Sequence, residues 1–481
     1  MSPVTASVRR ARGAAMLAVL VLVAAPAAAA SRTAAPQAAA AQTAAAKAAE
    51  PARARNVILF IGDGMGVSTL TAARIFEGQQ RGVDGASNLL AFERFPDLAL
   101  VRTYSADSLV TDSANGASAI MTGHRTINGA LGVSDAARRD DCASGLAAAV
   151  PTLAEIAKRR GMAAGAVTTA MITDATPAAL YAHSPSRGWQ SDAMMPKAAL
   201  DAGCVDIARQ LVEAPEAVRL DLVMGGGAAV FAPAGRKDGR DLAAAWAARP
   251  GAAVVRDAQA LAALPARSGP VLGLFASGNM APESARPASA PRLVDMTRKA
   301  IDILSQDKDG YFLMVEGALI DKSHHVGRVR DALVETVEFA QAVAAAAEMT
   351  DPADTLIIVT ADHSHGLTIS GGERDTSVLA LVPNDAEGPA LALDGKPYPI
   401  LAYATGPGGP PKDAPRADLT GIDTTAPEFV APAAVPLASA RHGGEDVAAY
   451  ARGPGADQVR GLIDQPRIFQ IMSAALGLPE R

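Results

Sequence analysis

Three short apolar runs in this chain each deliver an acidic residue at their end. They are NVILFIG before Asp63, YFLMV before Glu316, and LIIVTA before Asp362. Unbroken apolar runs, as opposed to alternating ones, are expected where a strand is buried on both faces. The pattern predicts strands at Val57–Ile61, Ala166–Thr169, Leu220–Met224, Val271–Phe275, Phe312–Val315 and Leu356–Thr360. Between them, helical spacing predicts helices at Val150–Arg160, Leu293–Leu304 and Arg330–Met349. Strands alternating with helices imply an α/β fold: a large, mostly parallel central sheet sandwiched by helices. In such sheets ligands gather beyond the carboxyl ends of the strands, which is where these acids stand.

Arg9, Arg10 and Arg12 precede an apolar run from Ala14 to Ala25, and Ala28 to Ala30 offer a small-residue cleavage site. Together they predict a secretory signal peptide over residues 1–30, hence a periplasmic or secreted protein. The run is too short to be a stable membrane span, so none is expected after signal removal. Residues 31–54 read as an Ala-rich linker, leaving 55–481 as one large domain. Within it, residues 371–440 are rich in Pro, Gly and Ala and read as an insertion with little regular structure. A net charge of −6 gives no support to nucleic-acid binding. Cys142 and Cys204, the two cysteines, read either as buried thiols or, in an oxidising compartment, as one disulfide.

Asp63 is followed by Gly64 and Gly66, so it can point into a cleft without obstruction, or else cap a helix. In VEGALIDKSHH, Glu316 ends a strand, and Asp321 and His325 fall four apart, on one face of a helix. His324 is read as a neighbour that does not ligate. In VTADHSHG, Asp362 and His363 leave a strand together, with His365 two further on. Four of the chain's seven histidines lie in these two segments, which points to a metal site. Carboxylate with imidazole suits zinc, and an all-oxygen set suits magnesium. His442, read alone, is an ordinary surface or core histidine.

Ser113, in VTDSANGASAIMTG, stands before a run of small residues that reads as a helix. At a helix start it is either a cap or, beside a metal, a nucleophile whose hydroxyl needs no histidine base. Thr176 could add a hydroxyl to a hard cation. Arg187 offers a planar fork for two phosphate oxygens, though a lone Arg is more often a solvated charge.

In order and approximate spacing, IGDGMG, TDSANGASAIMTG, NGALGV, DATPAALYAH, VEGALIDKSHH and VTADHSHG resemble the alkaline phosphatases of bacteria and animals, over roughly residues 55 to 480. The resemblance implies a phosphomonoesterase with two zinc ions, one magnesium ion and a phosphoserine intermediate on Ser113. Asp321, His325 and His442 would hold one zinc, and Asp63, Asp362, His363 and Ser113 the other. Asp63, Thr176 and Glu316 would serve magnesium, while Arg187 clamps the phosphate. Asp112, Asp174, Lys322 and His365 would orient these groups. Also implied are a broad range of phosphate monoesters as substrates, inorganic phosphate as product and inhibitor, a crown-like insertion, and a homodimer. The Cys142–Cys204 pairing does not follow from the bacterial relatives. Two rivals are a phosphodiesterase or sulfatase on a similar two-metal scaffold, and a secreted, catalytically silent binding protein.

Overall fold

A computed structural model describes residues 53–384 and 388–478; the signal-peptide and most of the linker expectation fall outside them. Among the described residues fifteen strands form, and ten of them make one sheet. The strands are β1 (Asn56–Gly62), β2 (Asp97–Arg102), β3 (Ala163–Met171), β4 (Leu222–Gly226), β5 (Ala253–Val255), β6 (Val271–Leu274), β7 (Tyr311–Gly317) and β8 (Thr355–Thr360). They continue with β9 (Ser364–His365), β10 (Leu367–Ile369), β11 (Leu401–Gly406), β12 (Ala433–Pro436), β13 (His442–Gly443), β14 (Val447–Arg452) and β15 (Gly461–Asp464). The large sheet runs β15-β2-β14-β8-β1-β7-β3-β4-β6-β5. Within it only β14 is antiparallel to its neighbours, β8 and β2. The mostly parallel sheet expected from the sequence is therefore the one observed.

Register explains where the site must lie. Gly62 of β1 pairs with Gly317 of β7, Ile61 pairs with Thr360 of β8, and Thr168 of β3 pairs with Glu316. The carboxyl ends of four parallel strands thus finish side by side. Their interiors are apolar and fully buried, as in Val57 to Ile61 and Leu356 to Val359. Helix Val329–Met349 lies over this region, and its Phe339 packs edge-on against Phe60 at 5.8 Å and near Phe92 at 6.1 Å. Truncating so buried an aromatic costs about 3–5 kcal/mol.

Several elements were not apparent in the sequence. Strands β2 and β15 carry exposed Leu98, Leu100 and Leu462, so no unbroken buried run marks them. Within residues 371–440 two short strands, β11 and β12, join β10 in a separate three-stranded sheet. Cys142 and Cys204 are disulfide-bonded, with Cα atoms 5.8 Å apart. The bond closes a loop of about sixty residues, worth roughly 4 kcal/mol on the chain-entropy argument, and packs beside Trp189, two residues from Arg187. Among the described residues no helix is long and apolar enough to cross a membrane.

Candidate metal and phosphoryl site

The chain leaves β1 at Asp63 and turns sharply. Gly64 has φ +70, and a Cβ there would meet the His365 ring at 2.7 Å; one on Gly66 would meet Ser364 Cβ at 2.5 Å. Both glycines are therefore demanded by the close approach of the loop after β8. The Gly64 N–H, freed of side-chain bulk, donates to Asp362 Oδ1 at 3.1 Å.

Two groups of ligand atoms abut beyond the strand ends. In one, Asp321, His325, His365 and His442 each place a donor atom within 4.8 Å of the others. In the second, Asp63, Asp321 and His363 do the same, and Asp362 Oδ2 lies 3.5 Å from His363 Nε2. Asp321 belongs to both. Helix Leu319–His325 presents Asp321 and His325 on one face, 3.4 Å apart, as their four-residue spacing predicts. His442 arrives through strand pairing, because β13 lies antiparallel to β9 with His442 opposite His365.

Hydrogen bonding to backbone sets the imidazole tautomers. His325 Nδ1 lies 2.8 Å from the Ala440 carbonyl, and His442 Nδ1 lies 3.0 Å from that of Thr111. His363 Nδ1 lies 3.2 Å from its own neighbour's carbonyl, Ser364 O. Each Nδ1 must therefore carry the proton, which leaves lone pairs on the three Nε2 atoms. Two of these lone pairs face each other, since His325 Nε2 and His442 Nε2 are 3.2 Å apart. Burial pushes the His363 and His442 imidazoles down to about 3, so both are neutral over the working range. Burial also raises Asp63 and Asp362, and the charge of Asp321 raises both further. Neutral nitrogens and mutually repelling carboxylates converging on one point fit a cation well.

An all-oxygen group lies alongside. Burial raises Glu316 to about 8, although the Thr168 hydroxyl, which donates to its Oε2, opposes the rise. Thr176 Oγ1 is buried and makes no hydrogen bond of normal geometry, although it lies close enough to Glu316 to help lower that carboxyl's pKa. A buried hydroxyl so placed fits a hard cation.

Ser113 is the first residue of helix Ser113–Thr122, and Asp112, not Ser113, is its cap: Asp112 Oδ1 accepts from Asn115 N at 3.1 Å. The Ser113 hydroxyl is thus released from capping and sits 3.2 Å from His363 Nε2 and 3.5 Å from Asp63 Oδ1. The first N–H groups of the helix lie outside its own ladder and favour an anion. Arg187 spans two carboxylates, Asp112 Oδ2 at 3.2 Å and Asp174 Oδ1 at 3.1 Å. Lys322 reaches Asp174 at 3.3 Å and Asp321 at 3.4 Å. Burial works against Asp174, yet Lys322 and Arg187 hold its carboxyl well below the usual range.

The structure brings Asp63, Ser113, Asp321, His325, Asp362, His363, His365 and His442 together, with Asp112, Asp174, Arg187 and Lys322 linked by ion pairs, while Cys142 and Cys204 lie apart in their own cluster. His365 gives its Nε2 to Asp321 Oδ1 at 2.6 Å, while His324 turns away, held by Thr69 at 3.0 Å and Tyr403 at 2.7 Å. Sequence reasoning missed Thr168, the Ala440 carbonyl and Asn128. Asn128 Oδ1 accepts from Asp112 N at 3.1 Å and its amide donates to Val110 O at 3.0 Å, which fixes the approach to Ser113. Its place in NGALGV was the one available signal. A cleft of about 740 Å³ opens over His325, His442 and Asp112.

The alkaline phosphatase family model matches residues 54–478. The tissue-nonspecific alkaline phosphatase of Gallus gallus is 40% identical over 445 residues, which cover 88% of this chain and 84% of that protein. Alkaline phosphatase of Gadus morhua is 38% identical, with 88% and 92% covered. Among solved structures, Thermus thermophilus alkaline phosphatase aligns with a TM-score of 0.66 at 26% identity, over 90% of this chain and 93% of that one. A mutant alkaline phosphatase of the Antarctic bacterium TAB5, with Mg bound in its M3 site, aligns at 0.63 and 26% identity, over 90% and 100%. On sequence, fold and family match alike, this chain belongs to the alkaline phosphatase family of hydrolases.

Proposed function

We propose that the site hydrolyses phosphate monoesters through a phosphoserine on Ser113, with two zinc ions and one magnesium ion as cofactors. The observation that carries this reading is the convergence of three unprotonated Nε2 atoms and buried carboxylates around a serine freed from capping. Asp321, His325 and His442 would hold one zinc, and Asp63, Asp362 and His363 the other, beside Ser113. Glu316, Thr176 and Asp63 would hold magnesium; the Mg found in the TAB5 relative supports that choice. When bound, these ions would lower the Ser113 hydroxyl pKa and neutralise phosphoryl charge.

The chain's own groups do the rest. Ser113 Oγ, giving up its proton, bonds to phosphorus as the ester P–O bond breaks; the alkoxide takes up a proton and leaves as the alcohol, and water later cleaves the phosphoserine, restoring the Ser113 hydroxyl and releasing inorganic phosphate. Helix N–H groups at Ser113 and the Arg187 fork bind the phosphoryl oxygens, and charge there is held without reorganisation. Asp112 and Asp174 pre-aim that fork. His365 orients Asp321, and Lys322 balances the acids around it. The Cys142–Cys204 disulfide supports residence in an oxidising compartment, periplasmic or secreted, and we extend the reading to a homodimer.

Protein loaded with zinc and magnesium should hydrolyse p-nitrophenyl phosphate at alkaline pH, and acid quenching should trap phosphate on Ser113. Absence of hydrolysis would sink the enzyme reading, and hydrolysis without a trapped phosphoserine would sink the covalent route. Faster turnover of a diester or a sulfate ester than of the monoester would favour the rival chemistries.

A further inference from the structure

The cleft above the site is far larger than a phosphoryl group needs, and its outer wall has a definite chemistry. Val110 and Leu437 supply apolar surface, Asn128 and Ser439 supply neutral polar groups, and Arg441 supplies a cation. Asp112, the acid of this cleft, is already engaged by Arg187. Arg441 is exposed, and among the described residues no carboxylate pairs with its guanidinium. Its backbone is nevertheless fixed on every side. The Arg441 N–H donates to Thr405 Oγ1 at 3.0 Å. The preceding residue, Ala440, exchanges two bonds with His325, N to O at 2.9 Å and O to Nδ1 at 2.8 Å. The following residue, His442, is held by Thr111 and by the β13–β9 pairing.

An unpaired guanidinium is therefore anchored one residue from His442, in the wall that the alcohol part of a substrate must pass. We infer that Arg441 forms a subsite for a second anionic group on the leaving alcohol, so that monoesters carrying a further phosphate or carboxylate are preferred substrates. This rests on the hydrolase reading above and adds specificity to it. A planar guanidinium suits either oxyanion, and exposed pairing of this kind is weakened by salt.

The test compares kcat/KM within matched pairs: 3-phosphoglycerate against glycerol 2-phosphate for the carboxylate, and fructose 1,6-bisphosphate against glucose 6-phosphate for the second phosphate. In the loaded wild-type enzyme at low salt, the anionic member should be favoured relative to the same pair in Arg441→Ala by about fivefold. Arg441→Lys should recover part of that ratio, and about 0.5 M NaCl should abolish it in the wild type. A gain in one pair alone identifies which anion the subsite takes. Ratios that stay equal in wild type and Arg441→Ala, or that ignore salt, overturn the inference. A parallel loss for all four substrates also overturns it, because Arg441 would then act on the fold or the phosphoryl group. A wild type that hydrolyses none of the four breaks the hydrolase reading instead.

Discussion

Asp362 and His442 meet the same cluster from opposite kinds of chain. Asp362 leaves a fully buried parallel strand, its position set by the register of β8 on β1, and it is itself wholly buried. His442 follows a long insertion, remains partly exposed, and is placed by the two-residue pairing of β13 with β9. Arg187 resembles His442: its backbone N–H donates to Gly129 O at 2.7 Å, and its fork is aimed by two acids on other segments. The site thus has a rigid half at the strand ends and a half carried by loops. On the function proposed above, the rigid half would hold the acids and the imidazole beside the nucleophile, and the loop half would hold groups that grip substrate and close the ligand set. If that division is real, substitutions in the two halves should fail in different ways.

The largest effect belongs to Ser113, which opens its own helix and abuts the rigid half at Asp63 and His363. Ser113→Ala should lower kcat by about a thousandfold or more, since a nucleophile acts as a unit with its surroundings. Zinc content, measured by elemental analysis, should stay nearly intact, because the histidines and acids keep their own backbone partners. Loss of zinc together with activity would mean that Ser113 supports the metal set and that the two halves are not separable.

His442→Ala comes next, with an expected loss of about a hundredfold in activity and of one zinc equivalent out of two. The strand-end ligands should keep the other. If both ions are lost, the loop half is organising the rigid half, and the comparison is inverted.

The contrast also explains what was legible before the fold was known. Buried parallel strands read as unbroken apolar runs, so β1, β7 and β8 and the acids behind them stood out directly. Asp321 and His325 were legible because helix spacing is local. His442 was not, since its place depends on a pairing with a segment far away in the chain, and only family resemblance supplied it. The carbonyls of Ala440 and Thr111, which set the tautomers of two histidines, belong to backbone and leave no trace in residue type. Ser113 read either as a cap or as a nucleophile, and the structure removes only the first reading, because Asp112 is the cap.

Arg187→Ala should separate binding from chemistry. The inhibition constant for inorganic phosphate and the KM should each rise by about ten- to thirtyfold, with a smaller fall in kcat. Arg187→Lys should recover little of this, because an ammonium cannot span Asp112 and Asp174 as the fork does. An unchanged inhibition constant would remove Arg187 from the phosphate site.

The smallest effect lies behind the loop half, where His183 ties the Arg187 segment to the body of the protein. Its Nδ1 lies 2.7 Å from Gly132 O and its Nε2 lies 3.2 Å from Glu155 Oε1. Burial is the largest single influence and would lower the imidazole pKa, but the Glu155 bond, the Glu155 charge and the Gly132 carbonyl together outweigh it and hold the pKa above the ordinary 6.5. Glu155 moves the opposite way: burial would raise it, and His183 brings it below its ordinary value. A raised histidine binds its proton more tightly in the folded state than in the unfolded one, so its contribution is complete below pH 6.5 and fades as pH rises through the folded value. Glu155 is ionised in both states across that window and adds no slope there. Thermal stability should therefore fall on going from about pH 6 to pH 8, and His183→Gln, which cannot titrate, should remove about 1–2 °C of that change in Tm. The same variant should weaken phosphate binding more than it slows turnover, because the segment it loosens carries Arg187 and not Ser113. A pH slope identical in both proteins would show that the loop half is held by its disulfide and backbone bonds alone.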